Sequence, residues 1–154
     1  MKYEVDIVRF VPRTLAIAAE TIPVSDVPRR YAELLDRVYL AGRTHALTLD
    51  GQNIFVYTND AGRVMASLGV GVRAPFDAVD GVAPFSLPSC QAVHTRHTGD
   101  YSGIRAANGA IQDWFAHSGR AKSGMSWEIY GHWSDDPAQR HTDIYYQLAA
   151  ATSA

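Results

Sequence analysis

The fold is decided by a tetrapeptide pattern that occurs twice, as Ile54-Phe55-Val56-Tyr57 in the first half of the chain and as Trp127-Glu128-Ile129-Tyr130 in the second. Each copy has the composition of a β-strand, follows a segment with helical spacing of apolar residues, and precedes a short loop that contains Asp. The chain therefore repeats the order strand–helix–strand–strand, with little residue identity between the copies.

The predicted first unit covers about residues 3–72. Alternating apolar and charged residues predict its first strand, Pro12 interrupts that strand, and Gly42 is expected to follow the last turn of the helix. Its predicted elements are, in order, a strand at 3–10, an apolar run at 14–22, a helix that begins near Ser25 or Asp26, and hairpin strands at 53–58 and 63–72.

A linker at about 73–88, rich in Pro, leads to a second unit at about 89–149. That unit is predicted to contain a strand at 90–98, a helix at 101–117 terminated by Gly119, and strands at 126–133 and 142–148. The whole chain, 1–154, is thus predicted as a single α+β domain. Its two pseudo-twofold-related units form a mainly antiparallel sheet with two helices packed on it.

Composition excludes several classes of protein. The chain is 47% hydrophobic and 19% charged, which is too apolar for a disordered protein. Its formal net charge is -2 and its 14 Lys and Arg are scattered, so direct nucleic-acid binding is not expected. The single Cys90 excludes an internal disulfide. Without a signal-peptide pattern or an apolar run of ~20 residues, we expect a cytoplasmic protein with no membrane contact.

Residues two apart on a strand share a face, so Glu128 and Tyr130 point together. Phe55 and Tyr57 hold the equivalent positions in the first unit. If the units pack side by side, these residues form a groove with aromatic walls and one carboxylate. Such a groove suits flat, apolar, cationic ligands. The alternative is that Glu128 lies on the solvated face of a hairpin.

Histidines give no metal site by this reasoning. His94 and His97 are three apart on a predicted strand and so point to opposite faces. His132 and His141 flank a turn with two Asp residues, where a metal clip is conceivable, but solvated loop residues are the favoured interpretation. Motifs for phosphate, dinucleotide or zinc binding are absent from the sequence, and we expect neither a metal nor a cofactor.

The run Arg96-His97-Thr98-Gly99-Asp100-Tyr101 is similar to the R-H-x-G-x-Y turn of the gyrase-inhibitor-like (GyrI-like) family. That family includes the effector-binding domains of some AraC-type and MerR-type transcription regulators. Trp127-Glu128-Ile129-Tyr130, Asp135-Asp136-Pro137 and Thr142-Asp143-Ile144-Tyr145 resemble its W/F-E-x-Y, D-P and final-strand patterns. The order and spacing of these motifs carry the resemblance over nearly the whole chain. In the first half, however, Ile22-Pro23-Val24 stands where the second half has a Gly turn.

The resemblance implies a curved two-unit sheet with a central ligand cleft, and it assigns the buried carboxylate of the family to Glu128. Tyr130 and Tyr145 are then wall residues. Tyr146 faces opposite to Tyr145, so only one of those two can line the cleft.

The implied function is a stand-alone small-molecule-binding protein for sensing or sequestration, with an aromatic or cationic, drug-like ligand and no catalysis. One alternative is a hydrolase of strained-ring electrophiles, in which Glu128 acts as general base and Tyr130 holds the substrate or donates a proton. Another is a gyrase-interacting inhibitor. We expect no DNA-binding domain before the first strand, so a regulatory role would need a protein partner.

Overall fold

The computed structural model describes residues 2–150, which form nine β-strands and two α-helices. The predicted α+β class with antiparallel pairing is confirmed. Neither helix in the described residues combines the length and apolar character that a membrane span requires. The elements are, in chain order, β1 (Asp6–Phe10), β2 (Arg13–Ala18), β3 (Ile22–Pro23), α1 (Val27–Thr44), β4 (Leu49–Asp60), β5 (Arg63–Val72), β6 (Val82–Leu87), β7 (Cys90–Thr98), α2 (Ile104–Ser118), β8 (Lys122–Tyr130) and β9 (His141–Leu148).

These elements belong to two compact units. The first unit, Pro12–Pro88, has the strand order β4-β5-β2-β6, with β3 beside β5. Helix α1 packs on β5 and β2 of this sheet. The buried residues of α1 include Leu34, Leu35 and Val38, which belong to the apolar stripe predicted from their helical spacing. This unit is therefore a helix-on-sheet layer with an apolar core.

The second unit joins Met1–Val11 to Ser89–Ala154 and has the strand order β1-β7-β9-β8. Helix α2 packs on β7 and β9. Its core is an apolar cluster shared by the helix and the sheet, formed by Val93, Ala107, Ile111, Phe115, Ile144 and Leu148. Gly119 ends α2 with a φ of 72°, as predicted from its position after the apolar stripe.

The N-terminal strand belongs to the second unit, and this differs from the predicted first unit at 3–72. Residues Asp6–Phe10 of β1 pair antiparallel with Cys90–His94 of β7. Alternation of apolar and charged residues correctly indicated a strand, but it carries no information on the pairing partner. The first unit therefore begins at Pro12, immediately after the residue that ends the N-terminal segment.

The predicted linker at 73–88 also contains a strand. Strand β6 pairs with β2 over its whole length, with Pro84 opposite Ala16. A proline lacks the N–H that an inner strand must donate, but β6 lies at the edge of its sheet, where that donor is not needed. Pro84 therefore marks an edge strand rather than a linker.

Helix α1 runs past Gly42 to Thr44, so the predicted stop at Gly42 is wrong. Gly42 lies inside the helix, and the side chain of Leu49 packs against it. A Cβ at this position would be 2.5 Å from Leu49 Cδ1. The absence of a side chain thus allows close packing rather than ending the helix.

Each unit has a β-bulge, and the two bulges occupy equivalent positions in β4 and β8. The pairing register shifts between Leu49 and Asn53 in β4 and between Lys122 and Ser126 in β8. Each bulge contains a glycine with positive φ, Gly51 at 81° and Gly124 at 102°. A bulge that needs positive φ selects glycine. Both glycines lie four residues before the predicted site position, Phe55 or Glu128, which extends the internal repeat beyond the tetrapeptide.

Candidate functional site

Strand pairing fixes which residues of the second unit lie under α2, because directly opposed residues of an antiparallel pair share a face. Glu128 is opposite Ile144, and Tyr130 is opposite Thr142. Ile144 belongs to the cluster that packs against α2. Glu128 and Tyr130 therefore lie together on the face that carries the helix.

Glu128 is buried, with 5% of its surface exposed, and is thus not on a solvated hairpin face. The hydroxyl of Tyr130 donates a hydrogen bond to Glu128 Oε1 at 3.0 Å. The Nδ2 of Asn108, on α2, donates to Glu128 Oε2 at 3.3 Å. Hydrogen bonds of this kind reduce the free-energy cost of burying a carboxylate but leave its charge in place.

Asn108 links the carboxylate to a second tyrosine. The hydroxyl of Tyr146 donates to Asn108 Oδ1 at 2.7 Å, while Asn108 Nδ2 also donates to the carbonyl of Ile104 at 3.1 Å. Burial raises the pKa of Tyr146; a hydrogen bond with Gln112 opposes this shift, and the nearby charge of Glu128 adds to it. This tyrosine is therefore a hydrogen-bond donor at neutral pH, and it fixes the orientation of the Asn108 amide.

In the first unit, Phe55 and Tyr57 have the equivalent placement. They are opposite Leu68 and Ala66 of β5, both fully buried. The hydroxyl of Tyr39, on α1, donates to Asn53 Oδ1 at 2.7 Å, which identifies the side of β4 that faces α1. Phe55 and Tyr57 share that side with Asn53.

Tyr145 lies on the opposite face of the second unit's sheet from Glu128. It is directly across from Trp127, and the two rings stack with centroids 5.9 Å apart. Phe10 makes an edge contact with Tyr145 at 5.0 Å. The structure therefore brings Tyr146, not Tyr145, to the face of Glu128. The expectation that Tyr145 is a wall residue beside Glu128 is therefore wrong, because the pairing register places Tyr145 on the other face of the sheet.

A charged cluster accompanies Tyr145 on that opposite face. Asp143 accepts hydrogen bonds from His94 Nε2 at 2.8 Å and from Arg96 Nε at 3.0 Å. Burial alone would raise the pKa of Asp143, but the hydrogen bonds and charges of His94 and Arg96 lower it to about 2. The cluster ties β7 to β9. In the described residues no group of His, Cys, Asp and Glu has the geometry to hold a metal ion.

Two aromatic residues, Tyr101 and Trp133, lie between the carboxylate and the surface. Neither was predicted as a site residue. The ring of Tyr101 lies 5.6 Å from that of Tyr130 and 6.0 Å from that of Trp133. Trp133 is 63% exposed, and the guanidinium of Arg140 lies 3.8 Å from its ring centroid. Tyr101 belongs to the R-H-x-G-x-Y motif, so the motif itself was the signal for it. Asn108 had no comparable sequence signal.

The second unit also has a groove of about 710 Å³ between the N-terminal segment and α2. Its lining includes Lys2, Val5, Asp113, Trp114 and His117. Glu128 and Tyr130 do not line it. We place the candidate site at the carboxylate rather than in this groove, because the groove is open and lacks a buried polar group.

Comparison with solved structures agrees with this architecture. The chain superposes on the C-terminal domain of EcmrR with a TM-score of 0.79 and 17% identity, covering 98% of this chain and 100% of that one. In the EcmrR–DNA complex the match covers 57% of that chain, with a TM-score of 0.76. SAV2435 bound to tetraphenylphosphonium matches with a TM-score of 0.69 and 14% identity, over 97% and 95% of the two chains. This chain has the GyrI-like fold.

The GyrI-like fold is not restricted to regulators. A hydrolase from Listeria innocua matches with a TM-score of 0.63 and 10% identity, covering 95% of this chain and 92% of that one. Neither a protein-family model nor a curated protein matches the sequence. At these identities the likeness establishes the fold, and function must be argued from the site.

Proposed function

We propose that this protein binds aromatic or amphipathic cations, for sensing or sequestration, with Glu128 as the buried counter-charge. The observation that carries the proposal is a carboxylate only 5% exposed and held by Tyr130 and Asn108 on the helix face. Burying a carboxylate costs free energy, and a bound organic cation offsets that cost. The tyrosine rings beside it supply apolar surface and cation–π attraction.

SAV2435, which has the same fold, binds tetraphenylphosphonium. That cation combines four phenyl rings with a charge that donates no hydrogen bond. A carboxylate among aromatic rings recognises it through charge and apolar contact alone. Tetraphenylphosphonium is therefore the first ligand to test on this chain.

Isothermal titration with tetraphenylphosphonium tests the proposal. Glu128→Gln keeps the shape of the side chain and removes its charge, and we expect it to weaken binding at least tenfold. The matched control is Glu33→Gln, the same chemical change at a side chain 57% exposed on α1, which should leave affinity unchanged. Triphenylphosphine oxide, a neutral analogue, should not distinguish Glu128→Gln from wild type. Equal affinity of wild type and Glu128→Gln for the cation would contradict the proposal.

Phe55 and Tyr57 are proposed as further ligand contacts because they occupy the helix face of their own unit, as Glu128 and Tyr130 do. In the same titration, Phe55→Leu and Tyr57→Leu should each weaken binding a few-fold, since each removes an aromatic face but retains apolar volume. Val64→Ala, on an exposed position of β5, serves as the control. Unchanged affinity in both variants would remove these residues from the site.

Hydrolysis of strained-ring electrophiles is the second candidate, favoured by the 3.0 Å hydrogen bond between Tyr130 and Glu128. In that reaction Glu128 takes a proton from water, and the oxygen forms a bond to a ring carbon. The strained carbon–heteroatom bond breaks, and the leaving heteroatom receives a proton from Tyr130. The proton that Glu128 took from water then passes to the Tyr130 oxygen along their hydrogen bond, which restores both groups. The likeness to a protein described as a hydrolase adds support.

Styrene oxide provides a test of the second candidate. Turnover that is abolished in Glu128→Gln while ligand binding persists would favour hydrolysis. Loss of cation affinity in Glu128→Gln, with no turnover in wild type, would favour binding without catalysis.

A further inference from the structure

All the buried polar side chains among residues 2–150 lie in the second unit. They are Thr95, His97, Glu128 and Thr142, each at most 5% exposed. Pairing places them on one face, because Thr95 and Glu128 are both opposite Ile144 of β9, and His97 and Tyr130 are both opposite Thr142. Two adjacent rows across β7, β9 and β8 therefore carry these groups under α2.

Three of these four side chains have a hydrogen-bond partner. The hydroxyl of Thr95 donates to the carbonyl of Glu4 at 2.7 Å. His97 contacts the Tyr3 hydroxyl at 2.8 Å and the carbonyl of Asp100 at 2.6 Å. Glu128 accepts from Tyr130 and Asn108, as described above.

Thr142 is the exception. It is fully buried, yet within residues 2–150 its Oγ1 has no hydrogen-bond partner. A buried hydroxyl without a partner destabilises the folded state, because it has lost its hydrogen bonds to water and gained none in return. Valine has nearly the same shape, favours strands, and would not carry this cost. The sequence thus keeps a hydroxyl where packing alone favours valine.

We propose that Thr142 is a ligand-binding residue that recognises a hydrogen-bonding substituent on the cation held by Glu128. Its side chain is flanked by His97 on one side and Tyr130 on the other. It lies one row from Glu128, so the two are diagonal cross-strand neighbours, about 7–8 Å apart at their Cα atoms. That spacing matches an aromatic cation with a polar group about one ring from its charge.

This inference deepens the proposed function and rests on it. It predicts a selectivity that charge and apolar contact cannot give. Organic cations that bear an N–H or O–H substituent should bind more tightly than equally large cations without one, because only the former satisfy the Thr142 hydroxyl.

The test pairs two proteins with two dyes. Proflavine carries two primary amines on an acridinium ring, and acridine orange has the same ring with dimethylamino groups. Wild type and Thr142→Val are titrated with both, and the four affinities give the coupling between the hydroxyl and the amine protons. We expect Thr142→Val to weaken proflavine about fivefold and acridine orange less than twofold. Thr142→Ser, which restores the hydroxyl, should recover most of the proflavine affinity.

Thermal unfolding of the ligand-free proteins gives a second readout. Thr142→Val should raise the melting temperature or leave it unchanged, since it removes an unpartnered polar group. A lower melting temperature would show that the hydroxyl serves the fold through a bound water, which would overturn the inference. A Thr142→Val effect of equal size on both dyes would also overturn it. If wild type binds neither dye nor tetraphenylphosphonium, the proposed function fails first, and this inference fails with it.

Discussion

The sheet faces that carry the helices occupy equivalent positions in the two units but differ in chemistry. In the first unit, Phe55 and Tyr57 of β4 face α1 together with Leu68 and Ala66. In the second unit, the equivalent strand places Glu128 under α2, in a region that also holds the other buried polar side chains of residues 2–150. The same scaffold therefore supports one apolar face and one polar face.

This difference separates what the fold requires from what it does not. In the first unit, where every residue is described, α1 packs on its sheet without a buried polar residue, so a helix-on-sheet layer of this kind does not require one. The polar groups of the second unit add a desolvation cost that hydrogen bonds offset only in part. The proposed function gives this cost a purpose, because it makes Glu128 of the second unit the counter-charge for a bound cation.

The largest expected effect is on stability, because both sheet faces pack against a helix through apolar side chains. Leu34→Ala on α1 and Ile111→Ala on α2 each truncate a fully buried side chain. Each should lower the free energy of unfolding by about 2–5 kcal/mol, measured by urea denaturation. Leu40→Ala, at a position 57% exposed on α1, should change it by less than about 0.5 kcal/mol. If Ile111→Ala lowered the free energy of unfolding no more than Leu40→Ala does, the apolar core would not be what holds α2 in place.

A smaller effect is expected from the opposite face of the second unit. The pKa of Asp143 is lowered from 3.8 to about 2, so its ionised form stabilises the folded state above pH ~4, and this stabilisation is lost as pH falls toward 2. Asp143→Asn should cost about 1–2 kcal/mol at pH 7, allowing for solvent screening. In urea titrations the difference from wild type should shrink as pH falls through the folded-state pKa near 2 and vanish only below it. Because Asp143 faces away from Glu128, affinity for tetraphenylphosphonium should not change.

The smallest effect separates two adjacent tyrosines. Tyr146→Phe removes the donor to Asn108 Oδ1 and should cost about 1 kcal/mol of stability. By freeing the Asn108 amide, it should also weaken cation binding about threefold. Tyr145→Phe, on the other face, should leave affinity within twofold. The reverse result in titration calorimetry would favour Tyr145 as the wall residue and contradict the assignment of faces.

Much of the fold followed from local sequence patterns. Alternation and turn chemistry located β5 and β7 to the residue, and Gly119 ended α2 as its position indicated. What failed depended on contacts far along the chain. The pairing of β1 with β7 joins residues 80 to 88 positions apart, and Pro84 fits a strand only because β6 is at an edge.

The candidate site was likewise predictable where it depended on local patterns and not where it depended on distant contacts. The two-residue period of a strand placed Glu128 and Tyr130 on one face, and the repeat related them to Phe55 and Tyr57. Burial of Glu128 could not be deduced from spacing, because it depends on α2 and Asn108. The assignment of Tyr145 as a wall residue failed because it depended on the register of β9 against β8, in which a slip of one residue exchanges the faces. Thr142 lies in the final-strand motif of the resemblance, but the motif did not mark it as a site residue, since an unpartnered hydroxyl is a property of the packed structure.

The most direct test of the central claim is the position of a bound cation. Tetraphenylarsonium has the shape and charge of tetraphenylphosphonium, and its arsenic gives an anomalous X-ray signal. A co-crystal should show the arsenic peak beside the Glu128 carboxylate, within about 6 Å of the Tyr130 ring. A peak in the groove lined by Lys2, Asp113 and Trp114, with none at Glu128, would contradict the account.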